Sequence, residues 1–292
     1  MTYLAILGAV ELGLIYAVMA LGVFISFRTL NTPDLTVDGS FVLGAAVAAV
    51  ICSGGGNPFA ALLAAFAFGS LAGAVTSLLH TKLGIQPLLS GILVMLALYS
   101  VNLRVMGGAP NIHLMNSPSI FNLWQAGLFA GNAKLITAIL VILIVFLFLY
   151  LFLQTRLGFA LRATGDNEIM VRAAGINSNA TKLIGLALSN GLVAASGAMI
   201  AQYQSYADVG MGMGMVVMGL ASVIIGEVVF GVKPLLRRLL AVVLGSVLYR
   251  LIIAFAFSLG MPATDLKLVS AVIVAVALSS GALKSAVLKQ KQ

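Results

Sequence analysis

The chain has 292 residues, of which 61% are hydrophobic and only 8% charged, and its formal net charge is +8. Soluble domains carry roughly 25% charged residues, so the composition excludes a soluble globular protein and indicates a helical membrane protein; a β-barrel would show short alternating strands. A single cysteine, Cys52, excludes a disulfide framework and a cysteine-based metal cluster.

Nine apolar segments are long enough to be membrane spans. From residue 39 to residue 81 the sequence contains no Asp, Glu, Lys or Arg, and several windows exceed the ~20 apolar residues that cross a bilayer core. The second span follows a broken polar turn, and we expect the first to be retained rather than cleaved as a signal peptide. The predicted spans are residues 3–27, 36–53, 59–80, 84–103, 134–154, 180–204, 212–231, 234–259 and 266–283.

The distribution of basic residues orients these spans, because loops on the cytoplasmic side are enriched in Lys and Arg. With the N-terminus outside, four basic residues lie near outer ends: Arg104, Lys134, Arg250 and Lys267. The inner ends then carry the other twelve: Arg28, Lys82, Arg156, Arg162, Arg172, Lys182, Lys233, Arg237, Arg238, Lys284, Lys289 and Lys291. This predicts an external N-terminus and a cytoplasmic C-terminus. The concentration of basic residues at the inner ends accounts for the net positive charge, and it also suits contact with anionic membrane lipid. No sequence motif suggests nucleic acid binding.

Two parts of the chain resemble each other and predict an inverted repeat. Residues 83–94, which open the fourth span, are similar to residues 259–270, which lead into the ninth, and the turn and span after Asp38 resemble residues 208–226. Pairing spans one to four with spans six to nine leaves the fifth span as a connector. A single connecting span gives the second half the opposite orientation in the membrane, an arrangement common in transporters with broken helices. The alternative is that any Leu/Gly/Ala-rich chain aligns weakly with itself. The predicted single transmembrane domain comprises a first repeat (1–103), an outer loop and connector span (104–157), an inner polar segment (158–179) and a second repeat (180–292).

The inner polar segment contains the densest run of charge in the chain. Asp166, Asn167 and Glu168 favour the start of a short helix, since their side chains suit its positive N-terminal end, and Gly175 suits its end. Such a helix is too short to be stable in water alone. The helix would therefore be stabilised by a partner or by neighbouring loops. The alternative is that the segment is not a docking helix but a solvated basic loop.

This segment resembles the membrane subunits of bacterial ABC importers for branched-chain amino acids and simple sugars. The matching positions are Gly158, Arg162, Ala163, Asn167, Ala174, Gly175, Ile176, Asn177, Lys182, residues 187–189, Gly191, Ala194 and Gly197, with residues 13–22 and 38–46 near the front. The resemblance implies an all-α polytopic fold of about nine spans, like type II ABC importers, in which this segment is a coupling helix seated in a cytoplasmic ATPase subunit. The residues implied in docking are Arg162, Ala163, Asp166, Asn167, Glu168, Arg172 and Gly175.

The resemblance also implies partners and a substrate class. The partners are the ATPase subunits, which would use ATP and Mg²⁺ while this chain binds no cofactor, an extracytoplasmic substrate-binding (lipo)protein, and a second permease copy in a homodimer. Asp38-Gly39-Ser40 stands where branched-chain permeases usually have His-Gly-Glu, and residues 226–231 are poorer in Gly and Ser than in relatives. These departures indicate a separate subgroup, so the substrate is not carried over directly from either group of relatives. The branch that the chain resembles most implies amino-acid transport, branched-chain or aromatic.

Ionisable residues inside spans are candidates for the translocation pathway, because burying their charge is costly. Glu11 lies a third of the way into the first span, with a position near the outer interface as its alternative. Asp34 and Asp38 either cap the second span or form a gate, and Glu227 is expected to pair with Lys233 or Arg237.

Uncharged side chains add further pathway candidates. Asn190 and Ser189 lie within the sixth span and either bridge helices or contact solute. Met215 and Met218 belong to a group of methionines that would give an adaptable apolar lining, or that simply pack.

No catalytic or metal-binding constellation is apparent, since His80 and His113 lie far apart and the glycine-rich runs lack the Lys-Ser/Thr of a P-loop. The function that the resemblance implies is the permease subunit of an ATP-driven importer, with ATP hydrolysis by a separate chain. The alternatives are a self-contained, ion-coupled secondary transporter, which should carry coupling-ion carboxylates within its spans, and a scaffold subunit without transport.

Overall fold

Long apolar runs fold into helices because lipid offers no hydrogen-bond partner to an exposed backbone. The computed structural model describes residues 3–115, 117–122 and 132–261, with the isolated residues 265, 268, 271, 272 and 275. Its helices are α1 Tyr3–Val23, α2 Thr36–Ser53, α3 Pro58–Thr81, α4 Pro87–Val105, α5 Ala133–Gln154, α6 Arg156–Asp166, α7 Glu168–Ala173, α8 Ser178–Gln204, α9 Met215–Phe230 and α10 Leu235–Ser258.

Eight helical segments in the described part of the chain are long and apolar enough to cross a membrane, and they correspond to the first eight predicted spans. The ninth predicted span, residues 266–283, and the basic residues Lys284, Lys289 and Lys291 lie outside the continuously described ranges. The inverted repeat therefore stays a prediction. The fold is an all-α polytopic membrane protein.

Helices α1, α2 and α8 form the centre of the bundle, and α3, α4 and α5 surround them. Most of the apolar window of α2 and of α8 is buried within the chain, whereas most of that of α4 and of α5 faces outward and suits contact with lipid. Glycine allows the close approach of α2 to α8: a Cβ at Gly44 would overlap the backbone carbonyl of Ala194.

The two ends of the bundle differ in character. One end, called here the basic end, holds the last turn of α1, helices α6 and α7, and the beginnings of α8 and α10. The opposite end carries a short antiparallel pair, β1 Asn111–His113 with β2 Tyr206–Asp208, in which Asn111 faces Asp208. At the basic end α1 continues as a π-helical turn, Phe24–Thr29, an irregularity that is frequent at functional sites.

Candidate functional site

The polar segment between α5 and α8 folds as two short helices rather than one. Thr155 caps α6 by accepting a hydrogen bond from the Gly158 amide, and Asn167 caps α7 through the Met170 amide at 3.0 Å. The sequence predicted one short helix starting at Asp166, Asn167 and Glu168. Asn167 and Glu168 do start α7, but Asp166 ends α6, because Asn167 is extended and takes the cap position itself. Gly175 ends the pair with a φ of 79°, which favours glycine.

Helix α6 is held against the last turn of α1. A Cβ at Gly165 would overlap the Thr29 carbonyl, so the two backbones touch. The Arg162 guanidinium lies 4.4 Å from the Phe159 ring centroid and donates to the Leu153 carbonyl at 3.2 Å. Arg162 thus anchors α6 to α5 within the chain. Ala163 and Asp166 are exposed on the same helix and line a cavity of about 390 Å³.

Glu168 accepts three hydrogen bonds, two of which join α7 to α8. Its Oε2 accepts from Lys182 Nζ at 2.7 Å, and its Oε1 accepts from Arg172 Nη2 at 2.8 Å and from Ser178 Oγ at 3.0 Å. The hydrogen bond from Lys182, aided by Ser178 and the positive charges nearby, lowers the pKa of Glu168 below its ordinary 4.5 against the opposing effect of partial burial. Glu168 is therefore an anionic anchor of the segment.

The same network continues to α3 and to the loop before α4. Lys182 Nζ lies 3.2 Å from His80 Nε2, and His80 Nδ1 lies 2.9 Å from the Ile85 carbonyl. Because an ammonium group can only donate, Nε2 must accept, and Nδ1 then carries the proton that is donated to Ile85. A polar chain thus runs from α7 through α8 to the α3–α4 connection.

Two apolar side chains of α7 project away from this scaffold. Ile169 is 83% exposed and Met170 is 69% exposed, between Glu168 on one side and Arg172 on the other. A six-residue helix with fixed polar contacts that leaves two large apolar side chains uncovered is typical of a contact surface for a partner. The sequence prediction emphasised the charges and missed both residues, although adjacent apolar residues in a polar stretch were a visible signal.

At the basic end Glu227 of α9 binds two arginines from other helices. It pairs with Arg28 at 2.5 Å and with Arg238 at 2.9 Å, and its side chain is 5% exposed. The expectation that Glu227 pairs with Lys233 or Arg237 is wrong: the π-helical turn brings Arg28 to α9, and α10 presents Arg238 to it. This cluster joins α1, α9 and α10.

The predicted pathway residues Glu11 and Asn190 are buried and already paired. Glu11 accepts a hydrogen bond from the Tyr203 hydroxyl at 2.8 Å, which joins α1 to α8. Asn190 donates to Asp34 at 2.7 Å and accepts from Ser40 at 2.8 Å. These contacts bridge helices.

Asp34 and Asp38 differ in their capping roles. Asp34 accepts from the Thr36 amide at 2.8 Å, immediately before α2. Asp38 lies in the first turn of α2 but caps another helix, because its carboxylate accepts from the amides of Gly214 at 3.0 Å and Val216 at 2.8 Å. The expectation that Asp38 caps its own helix is therefore wrong.

The methionine candidates divide by burial. Met218 is buried in the core, Met215 is half-buried against that core, and neighbouring Met213 is exposed beside a cavity next to Asp38. Within the described residues no three His, Cys, Asp or Glu side chains gather into a possible metal site.

Comparisons with known proteins identify the family of the chain. Residues 5–278 match the family described as "Branched-chain amino acid transport system / permease component". The chain is 41% identical, over 94% of its length and 91% of the relative's, to the tyrosine transport system permease protein of Clostridioides difficile (strain R20291). It is 33% identical to an uncharacterized protein of Rickettsia prowazekii (strain Madrid E), over 93% of this chain and 96% of that one.

A more distant relative is the ribose import permease protein RbsC of Escherichia coli (strain K12), which is 29% identical over 72% of this chain and 65% of its own. No solved structure matches the chain.

Proposed function

The chain belongs to the family of branched-chain amino acid transport system permease components, and on that premise we propose that it forms the membrane pathway of an ATP-driven importer for an amino acid. As a member of this family it is a membrane permease subunit of the ABC importer type. The amino-acid class, aromatic or branched-chain, is supported by the tyrosine permease at 41% identity, whereas ribose is the substrate named for a more distant relative.

The observation that carries this proposal is the exposed apolar pair of α7. Ile169 and Met170 are the docking surface for a cytoplasmic ATPase subunit, which would bury both side chains in a groove. Burying an apolar side chain contributes roughly 1.5–3 kcal/mol, so the pair supplies about 4 kcal/mol of binding free energy. ATP and Mg²⁺ are used by that partner, and this chain binds no cofactor.

The orientation follows from the same assignment. The basic end, with Arg28, Lys182 and Arg238, faces the cytoplasm in the inner membrane, because basic residues concentrate on that side. The N-terminus is then external and the C-terminus cytoplasmic. An extracytoplasmic substrate-binding (lipo)protein delivers the solute to the opposite end, beside β1 and β2.

The structure offers a route from the docked helix to the spans. Glu168 and Lys182 connect α7 to α8 and, through His80, to the α3–α4 connection. Gly165 connects α6 to the π-helical turn of α1 at Thr29. Movement of the ATPases would therefore displace α1, α3 and α8 together and change access to the pathway.

Two further partners belong to the proposal. A second permease copy completes a homodimer around the pathway, and membrane lipid covers the outward apolar residues of α3 and α5, such as Leu63 and Leu143.

The docking surface is tested by Met170→Glu, alone and with Ile169→Glu. Co-expressed ATPase should no longer co-purify, and ATP-dependent tyrosine uptake should fall at least tenfold, while membrane insertion is retained. Met115→Glu is the matched control, since Met115 is 81% exposed at the opposite end, and it should leave co-purification unchanged. Normal co-purification with the double variant would refute the docking role, and uptake that collapses with a protonophore but not with ATP depletion would favour a secondary transporter.

A further inference from the structure

The first turns of α2 and α9 lie next to each other within the bundle. Helix α2 runs from its start at Thr36 toward the opposite end, and α9 runs from its start at Met215 toward the basic end. Their first turns touch, because the Asp38 carboxylate accepts hydrogen bonds from the Gly214 and Val216 amides. The junction therefore lies at intermediate depth. Helix α9 alone has 16 residues, and it reaches the length of a span only together with the irregular turn that begins at Val209.

Close backbone contact fixes this junction. A Cβ at Gly212 would overlap the Asp38 carbonyl, so the 3-10 turn Val209–Gly212 rests directly on the start of α2. Gly214 precedes α9 with a φ of 86°, a conformation that side chains disfavour. The geometry places polar backbone and a carboxylate where apolar helices surround them.

A cavity of about 280 Å³ lies beside the junction, between α2, α4 and the turn before α9. Most of its lining is apolar and includes Met95, Tyr99 and Met213, and its polar part comes from Asp38 and Asn102. Small-molecule sites commonly have volumes of roughly 300–1,000 Å³ with few polar groups. The size suits a single amino acid.

Asn102 supplies an acceptor that the described part of the chain leaves without a hydrogen bond. The residue is 1% exposed, and its Nδ2 donates to the Gly39 carbonyl at 3.2 Å, while its Oδ1 has no partner among the described residues. A buried acceptor without a hydrogen bond is unfavourable, and Asn102 lines the cavity together with the Asp38 carboxylate. This polar part of the lining favours a positively charged donor.

The apolar part of the cavity is adapted to a variable side chain. Tyr99 is 56% exposed and Met213 is 66% exposed, so both can contact a molecule that enters. Methionine fills irregular space without a fixed shape, and an aromatic ring offers a flat face for stacking.

We infer that this cavity holds the amino acid during its passage, with the α-ammonium group beside Asp38 and Asn102 and the side chain against Tyr99 and Met213. The inference rests on the proposed function, and it deepens that function by naming the group that is recognised inside the membrane.

The test uses the complete transporter, permease with ATPase and binding protein, in proteoliposomes loaded with ATP. Uptake of radiolabelled tyrosine and hydrolysis of ATP are measured in parallel. Asn102→Leu and Tyr99→Ala should lower the tyrosine transported per ATP at least tenfold. Leu93→Ala is the matched control on α4, because Leu93 is 44% exposed but does not line the cavity, and it should stay within twofold of wild type.

A labelling experiment covers the case in which Asn102→Leu does not fold. Cys52 is the single cysteine of the chain, so Met213→Cys in a Cys52→Ser background places one accessible thiol at the cavity. Millimolar tyrosine should slow its reaction with a methanethiosulfonate reagent at least threefold, whereas 3-(4-hydroxyphenyl)propionate, which lacks the ammonium group, should not.

The outcomes separate the two proposals. If wild type transports tyrosine and both cavity variants transport it equally well per ATP, the cavity is not the site and the inference fails while the proposed function stands. If wild type does not transport tyrosine, the proposed substrate fails. Labelling at Met213→Cys still decides the cavity then: protection by any of the common amino acids supports it, and no protection overturns it.

Discussion

Replacing Glu168 by Gln should loosen α7 without changing its shape. Glutamine preserves the size of the side chain and one oxygen acceptor, but it removes the charge that binds Lys182 and Arg172. Lys182 keeps His80 as a partner, so the loss is confined to the link between α7 and α8.

The expected magnitude comes from the exposure of the partners. The Lys182 side chain is 12% exposed and its bond to Glu168 is 2.7 Å long; a hydrogen bond to a charged group contributes about 1.5–3 kcal/mol. Partial exposure of Glu168 reduces this to about 1–2 kcal/mol. The Arg172 pair is more exposed and contributes only about 0.3–0.5 kcal/mol. Together these values amount to about 1.3–2.5 kcal/mol and predict a roughly ten- to sixtyfold increase in local opening, since ~1.4 kcal/mol equals a factor of ten.

Hydrogen–deuterium exchange of the purified protein in nanodiscs measures this opening at the amides of residues 169–174. Glu168→Gln should accelerate exchange at least tenfold. Lys182→Met removes the same ion pair from the α8 side and should accelerate exchange to a similar extent. Amides in the middle of α8 serve as an internal reference and should not change. No acceleration from Glu168→Gln, or none from Lys182→Met, would refute the assignment of Lys182 as the principal partner.

Two further predictions concern pH and packing. Because the Lys182 hydrogen bond lowers the pKa of Glu168 in the folded state, the stabilisation from Glu168 is present above its unfolded pKa of about 4.5 and disappears as the pH falls through the folded value. The protection factor of the α7 amides, which is their exchange corrected for the intrinsic pH dependence of amide exchange, should therefore fall between about pH 5 and pH 3 in wild type. A fall of the same size in Glu168→Gln would contradict this. Gly44→Ala places a Cβ against the Ala194 carbonyl, so we expect thermal unfolding to show that the protein loses about 2 kcal/mol or more of stability. Gly8→Ala is the control, because nothing lies within 4 Å of a Cβ at that position, and it should not lower the melting temperature. Equal melting temperatures of the two variants would argue against the α2–α8 contact.

Sequence patterns predicted the spans because hydrophobicity is a local property. A window of apolar residues identifies a membrane helix whatever its neighbours are, and all eight described spans were found in this way. The division of the polar segment into α6 and α7 was harder, since Asp166 and Asn167 are both good cap residues and only the backbone decides which one caps. Local chemistry therefore predicted that a helix starts there, but not at which residue.

The partners of charged residues were not predictable in the same way. Glu227 binds Arg28, which is distant in sequence, because the π-helical turn of α1 rotates that arginine toward α9. Proximity in sequence favoured Lys233 and Arg237 instead. Glu168 was expected to contact a partner protein, yet it is engaged within the chain, and the side chains left for a partner are the apolar ones that a charge-based interpretation passes over.

The junction of α2 and α9 shows why broken helices mark the place where a permease can hold a solute. A helix that starts inside the membrane leaves its first amides without partners, and Asp38 satisfies two of them for α9 from the first turn of α2. A carboxylate used in this way keeps lone pairs free, because each of its oxygens can accept more than one hydrogen bond. An uninterrupted span would offer neither the carboxylate nor the exposed backbone at that depth. The irregularity that costs stability is thus what allows a polar ammonium group to be recognised where the surrounding helices are apolar.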